Sequence, residues 1–109
     1  MKEELRNLAK ELDDVVLHPK RFIILTLLYL SGPLTEGELK SAVNVSWGAL
    51  TTHLRRLEEH GLIKRRKWLT KSLKLRVFVY LTEKGIQQYI KAIKSLEKIL
   101  KCIQNSHQK

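Results

Sequence analysis

The chain has 109 residues, 43% of them apolar, and its 21 lysines and arginines against 11 aspartates and glutamates give a formal net charge of +10. That length supports one modest hydrophobic core, so a single domain over residues 1–109 is expected. One cysteine, Cys102, excludes an internal disulfide framework, and the longest apolar run, Phe22 to Leu30, is broken by Thr26 and too short to span a bilayer.

The N-terminal MKEELRNLAK mixes acids and bases without the apolar centre of a secretory signal, so a cytoplasmic protein is expected. Within residues 1–17, the stretch Glu3 to Val16 places Leu5, Leu8, Leu12 and Val15 at steps of three and four. That spacing predicts a helix with a narrow apolar seam. His18-Pro19 then opens a second helix, because proline suits the first helical position. Phe22 to Leu30 make this helix apolar on nearly every side, as befits a central buried helix, and Ser31-Gly32-Pro33 ends it.

Thr35-Glu36-Gly37-Glu38 has the spacing of a capping box, and a short helix from Glu38 to Val43 is expected after it. Asn44 tolerates left-handed geometry and makes the turn. The next run, VSWGALTTHLRRLEEHG from Val45 to Gly61, carries Leu50, Leu54 and Leu57 on one helical stripe. Ser46 can cap its start, and Gly61 can end it. Trp47, Gly48, Thr51, Thr52 and Arg55 fall on the other side. Short helix, tight turn and longer helix with a polar outer side make the helix-turn-helix pattern.

Leu62 to Lys67 and Leu75 to Leu81 read as two strands around the polar tip Thr70-Lys71-Ser72, a basic hairpin beside that helix. Leu75, Val77, Val79 and Leu81 share one parity and should face the core. Phe78 and Tyr80 take the other side, which a long helix capped by Thr82 is expected to cover. Along that helix, over residues 82–104, Ile86, Tyr89, Ile93, Leu96, Leu100 and Ile103 form a second seam, widened by Ile90 and Ile99. The tail Asn105 to Lys109 is expected to fray. Two seams exceed what one small domain buries, so the terminal helices are expected to form a homodimer interface, with packing of the two helices inside one chain as the alternative. Cys102 lies off the Ile86-to-Ile103 seam, and no interchain disulfide is expected.

LTTHLRRLEEHGLIKRR followed by VYLTEKG resembles the winged helix-turn-helix regulators of the MarR and ArsR type, over about Leu12 to Leu96. The resemblance implies a mainly α fold with a small β hairpin (α+β), a winged helix-turn-helix with long N- and C-terminal dimerisation helices. It further implies a transcriptional regulator of double-stranded DNA, acting as a homodimer and by promoter occupancy as a repressor. Some ArsR relatives sense metals through Cys/His clusters. This sequence has none, and His18, His53, His60 and His107 are dispersed, so no metal and no cofactor are expected. Whether a small-molecule effector binds between the dimer helices is left open.

The charge is segregated. Residues 1–17 carry three cations against five anions, whereas Arg55 to Arg76 carry nine against two, the field of a polyanion-binding surface. The residues expected to meet DNA are Ser46, Trp47, Gly48, Thr51, Thr52 and Arg55 in the major groove, with Lys71, Lys74 and Arg76 gripping adjacent backbone. Two small hydroxyls and an arginine differ from the Glu/Lys pairs of a merely solvated helix. Trp47 either touches DNA or buries itself against Lys40 or the hairpin. Gly48 either lets backbone approach a phosphate or serves packing. His53 is read as a structural hydrogen-bonding residue, with a phosphate contact left open, and Glu36 and Glu38 as dipole-complementing anions rather than catalytic carboxylates. Some of Lys64, Arg65, Arg66 and Lys67 are read as solvated strand face. A DNA coater without sequence preference and a winged-helix protein-interaction module are the competing readings. An enzyme is disfavoured because no nucleophile-base pair or phosphate loop is visible.

Overall fold

The computed structural model describes residues 1–107 and runs α1 (Lys2–Glu11), α2 (Pro19–Ser31), β1 (Leu34–Thr35), α3 (Glu36–Val43), α4 (Trp47–Glu59), β2 (Ile63–Leu69), β3 (Leu75–Leu81) and α5 (Glu83–His107). The three antiparallel strands are ordered β1-β3-β2. Helices α2, α3 and α4 meet the inner side of this sheet. Their shared core is Val16, Ile24, Leu25, Leu39, Leu50, Leu54, Leu57, Leu62, Ile63 and Val79, all almost wholly removed from solvent.

The first helix stops at Glu11 rather than running to Val16 or residue 17. Leu12 is extended (φ −70°, ψ 130°), and the Asp13 carboxylate accepts the backbone N–H of Val15 at 2.7 Å. A short acidic side chain that captures a nearby N–H competes with helix propagation. Arg21 then staples this turn by donating from Nε to the Val15 carbonyl at 2.8 Å. Consequently Val15 and Val16 enter the main core, while Leu8 is buried on α1 and Leu5 stays exposed. The expected seam is divided between two surroundings.

Helix α2 begins at Pro19, with His18 Nδ1 accepting the Lys20 N–H at 3.2 Å, and ends at Gly32 with φ 78°. It is less central than its composition implies. Ile24, Leu25 and Leu28 are buried, but Ile23, Tyr29 and Leu30 are exposed, because the sheet and helices cover only one side of it. The capping box sets the start of α3 at Glu36, two residues earlier than expected: Thr35 Oγ1 accepts from Glu38 N at 3.1 Å, and Glu38 accepts from Thr35 N at 3.1 Å. A box whose first member is the cap leaves the next residue as the first helical one. Strand β1 is a pairing that period-two patterning did not reveal, since two residues carry no alternation.

Helix α5 starts where Thr82 Oγ1 accepts the Gly85 N–H at 2.9 Å and donates to the Gly61 carbonyl at 2.6 Å. Its first turn lies so close to Leu62 that a side chain on Gly85 would collide with the Leu62 carbonyl oxygen. Tyr89 locks it to α2: the hydroxyl bonds Thr26 Oγ1 at 2.8 Å, and the ring packs 5.5 Å from Phe22 and 5.2 Å from Tyr29. Farther along, Ala92, Ser95 and Cys102 are buried, with Ser95 donating to Glu11 at 3.5 Å.

Contact between the two terminal helices within one chain is therefore present, and yet Ile86, Leu96, Leu100 and Ile103 remain exposed on α5. The helix continues past residue 104 through Asn105, Ser106 and His107; Gln108 and Lys109, the rest of the tail, lie outside the described residues. Nor does α5 close the outer side of the hairpin. Lys64, Arg66 and Trp68 line a shallow groove with Tyr80, and Phe78 and Tyr80 are only half-buried. Helix α5 is drawn instead to α2 and α1, where its aromatic and small residues find partners.

Candidate nucleic-acid interface

Three local devices fix the angle between α3 and α4. Asn44 adopts the left-handed conformation (φ 53°, ψ 60°), Lys20 Nζ donates to the Val43 carbonyl at 3.0 Å, and Ser46 Oγ accepts the Ala49 N–H at 3.1 Å. The lysine satisfies a carbonyl left open at the end of α3. With Leu50, Leu54 and Leu57 turned into the core, the other side of α4 is presented outward as a rigid element.

That outward side gathers Trp47, Gly48, Thr51, Thr52 and Arg55, all exposed. Trp47 resolves its two readings in a mixed way. Lys40 Nζ sits 5.5 Å from its ring centroid, but Trp47 is still 55% exposed and free to make a further contact. Thr52 Oγ1 donates to the Gly48 carbonyl at 3.0 Å, which leaves its oxygen as an acceptor. Arg55 stands 3.9 Å from Glu59, an exposed pair too long to restrain it. Gly48 has no packing role: a Cβ there would find only the Ser46 hydroxyl, at 4.0 Å.

His53 turns back into the protein as expected. Its Nδ1 lies 3.3 Å from Arg21 Nη1, and its ring packs 4.7 Å from that of His18. Since the guanidinium can only donate, a hydrogen bond here requires a neutral imidazole with Nδ1 as the acceptor. Burial pushes its pKa below the ordinary value, and the neighbouring His18, Arg21 and Lys20 push it the same way.

Of Lys64, Arg65, Arg66 and Lys67, Arg65 is not one of the solvated strand cations. Nη2 and Nε meet Glu58 of α4 at 2.9 and 3.4 Å, while Nη1 meets Glu36 of α3 at 3.3 Å. The hydrogen bond from Arg65 holds Glu58 below the usual carboxylate range, and the same bond raises the arginine. One side chain thus fastens the hairpin to both helices. Glu36 gains a partner that its placement at a helix start did not foretell, because nothing local in the sequence links residues 36, 58 and 65.

Beyond this clip the hairpin projects freely. Thr70 and Lys74 close the tip, with Thr70 N donating to the Lys74 carbonyl at 2.9 Å and Leu73 N donating to the Thr70 carbonyl at 2.9 Å. Lys71 and Lys74 are exposed there. Arg76 is not grouped with them in orientation. It pairs across the ladder with Trp68, on the sheet side that carries Lys64 and Arg66, whereas Arg65 and its register mates face α4. Among the described residues no cluster of three or more His, Cys, Asp or Glu side chains gathers, and no helix is long and apolar enough to cross a membrane.

Comparison with known proteins matches residues 17–68 to the MarR family. The HTH-type transcriptional regulator YdgJ of Bacillus subtilis is 33% identical over 82 residues, which cover 74% of this chain and 48% of the relative. YwoH, an HTH-type transcriptional regulator of the same organism, is 32% identical over 92 residues, covering 84% of this chain and 67% of the relative. The chain thus spans about half of one curated relative and two thirds of the other. In fold it is similar to a transcriptional regulator homologue from Pyrococcus horikoshii OT3, with a TM-score of 0.81 at 24% identity over 93% of this chain and 97% of that one.

Proposed function

The chain belongs to the MarR family, and on that footing we propose that it is a sequence-specific double-stranded DNA-binding regulator, acting in the cytoplasm as a homodimeric repressor and not as an enzyme. The observation that carries this reading is the convergence on α4 of an exposed Trp47-Gly48-Thr51-Thr52-Arg55 surface, anchored from behind by Leu50, Leu54 and Leu57. Small hydroxyls and a guanidinium reach base edges without steric conflict, and an N-terminal helix turn with an unobstructed glycine lets backbone N–H groups meet a phosphate. Ser46 belongs to that turn. Lys71 and Lys74 supply phosphate contacts from the hairpin tip, and Arg76 reaches a phosphate only around the hairpin edge.

The exposed α5 row of Ile86, Leu96, Leu100 and Ile103 supports the dimer, since a stripe of this length on a projecting helix is stabilised by a second copy. Two α4 helices related by a twofold axis read half-sites about 10 base pairs apart, one helical turn. The test compares, at physiological salt, a duplex selected by the full chain from a random pool with an unselected duplex. Binding of the selected duplex tighter by a factor of about 1,000 or more supports specific readout. Equal affinity for both would replace the reading by a DNA coater.

A further inference from the structure

The hairpin tip presents a feature that phosphate binding does not use. Leu73 is 80% exposed and holds φ at 61°, the left-handed region that side chains other than glycine and asparagine rarely adopt. The turn around it is closed by the Thr70–Lys74 backbone pair and by Thr70 Oγ1, which accepts from Lys74 N at 3.3 Å and bonds Ser72 Oγ at 3.0 Å. Hairpin loops of this kind place glycine at the left-handed position. A leucine there is strained, and at this exposure it gains no packing within the chain. Leu69 and Leu75, cross-strand partners at the base of the tip, are also exposed, at 64% and 62%.

Leu73 lies between Lys71 and Lys74, and the register puts Leu69 and Leu75 on the same side of the sheet as Arg65, the side facing α4. Between Arg65 and the tip the strand extends by about five residues, roughly 17 Å. That is half of the ~34 Å turn of a duplex, the offset from one groove to its neighbour. We propose that Leu73 is an apolar wedge which the hairpin inserts between base pairs of the minor groove, kinking the duplex while Lys71 and Lys74 hold the flanking phosphates. Apolar side chains that enter a minor groove unstack a base step and bend the helix by roughly 20 to 90°. The step entered is then a deformable pyrimidine–purine step such as TA or CA, so the protein discriminates at a position where it makes no hydrogen bond. The inference rests on the duplex reading given under Proposed function, and it adds a mode of readout to it.

The experiment uses the full chain and a selected duplex of about 30 base pairs, carrying end-labelled fluorophores and 2-aminopurine placed in turn at each pyrimidine–purine step. Wild type should shorten the end-to-end distance and brighten one 2-aminopurine position. Leu73→Asn, which suits the left-handed conformation, should leave the melting midpoint unchanged or raise it. It should also abolish the brightening, straighten the duplex and weaken binding about tenfold, with K71A and K74A weakening binding without removing the residual bend. Tight binding by wild type to an unbent duplex, or an unaltered bend with Leu73→Asn, overturns the wedge and leaves the duplex reading standing. Failure of wild type to select any duplex removes the reading beneath it. Leucine-dependent co-sedimentation with phosphatidylserine vesicles, without kinking of the duplex, would assign the tip to a membrane surface instead.

Discussion

Replacing Gly48 by alanine separates the stability of α4 from its task. Gly48 is the second residue of the helix, and a methyl group there meets nothing nearer than the Ser46 hydroxyl at 4.0 Å, an ordinary van der Waals contact. Without a collision, the conformational term decides the sign. Alanine in place of helical glycine stabilises by about 0.5–1 kcal/mol. At roughly 4–8 °C per kcal/mol for a domain near this size, the melting midpoint should rise by about 2–8 °C. On the proposed duplex reading, the same methyl group would stand between the helix N-terminus and a phosphate. Loss of one backbone hydrogen bond to a charged group costs about 1.5–3 kcal/mol, so the selected duplex should bind about 10- to 150-fold more weakly. Calorimetric melts and a fluorescence-anisotropy titration of the one variant give both numbers. A lowered midpoint would mean that Gly48 serves packing, and undiminished affinity would mean that no phosphate approaches it.

Three further outcomes are expected. Gly85→Ala makes the same exchange with the opposite sign, because the new Cβ strikes the Leu62 carbonyl, which is backbone and cannot swing aside; a loss of about 2 kcal/mol is expected after the helix-propensity gain, and a neutral melt would contradict the close approach. Arg65→Met should cost about 1 kcal/mol or less in stability, since solvent reaches its partners, but should weaken duplex binding by roughly tenfold without changing its salt dependence. A changed salt slope would make Arg65 a phosphate contact rather than a positioning residue. His53, held below the ordinary imidazole range, binds a proton more readily in the unfolded chain, so its contribution is whole above the unfolded value of about 6.5 and is lost as pH falls through the lower folded value. Melts at pH 7.5 and 5.5 should show this loss in wild type and a smaller one in His53→Gln, which keeps an acceptor for Arg21 but does not titrate; equal losses would exclude His53 as the source.

Periodicity and caps made the helix-turn-helix unit legible, because Thr35, Asn44, Ser46 and Gly61 act within a few residues of where they stand. The outward side of α4 followed from the inward one, since Leu50, Leu54 and Leu57 leave only one orientation. What escaped the sequence depends on contacts distant along the chain. Arg65 looks like its neighbours Lys64, Arg66 and Lys67 until folding brings Glu36 and Glu58 beside it. Gly85 reads as an ordinary glycine near a helix start, although the Leu62 carbonyl requires it. The sequence overstates the length of α1 because Leu12 and Val15 keep a helical spacing even though Asp13 diverts the backbone between them. Similarly, the seam on α5 mixed two surfaces: Tyr89 turns inward to Thr26, while Leu96, Leu100 and Ile103 stay outside.

The most direct measurement is the salt dependence of duplex binding by wild type and by K71A, K74A and T51A, on selected and unselected sequences. Wild type should show log K falling steeply and linearly with log salt, and each lysine variant should lower that slope by about 0.9 on both sequences. Thr51→Ala should leave the slope unchanged and weaken only the selected duplex. A flat salt response, or a Thr51 variant that binds both duplexes as wild type does, would contradict the assignment of α4 and the hairpin as the DNA-reading surface.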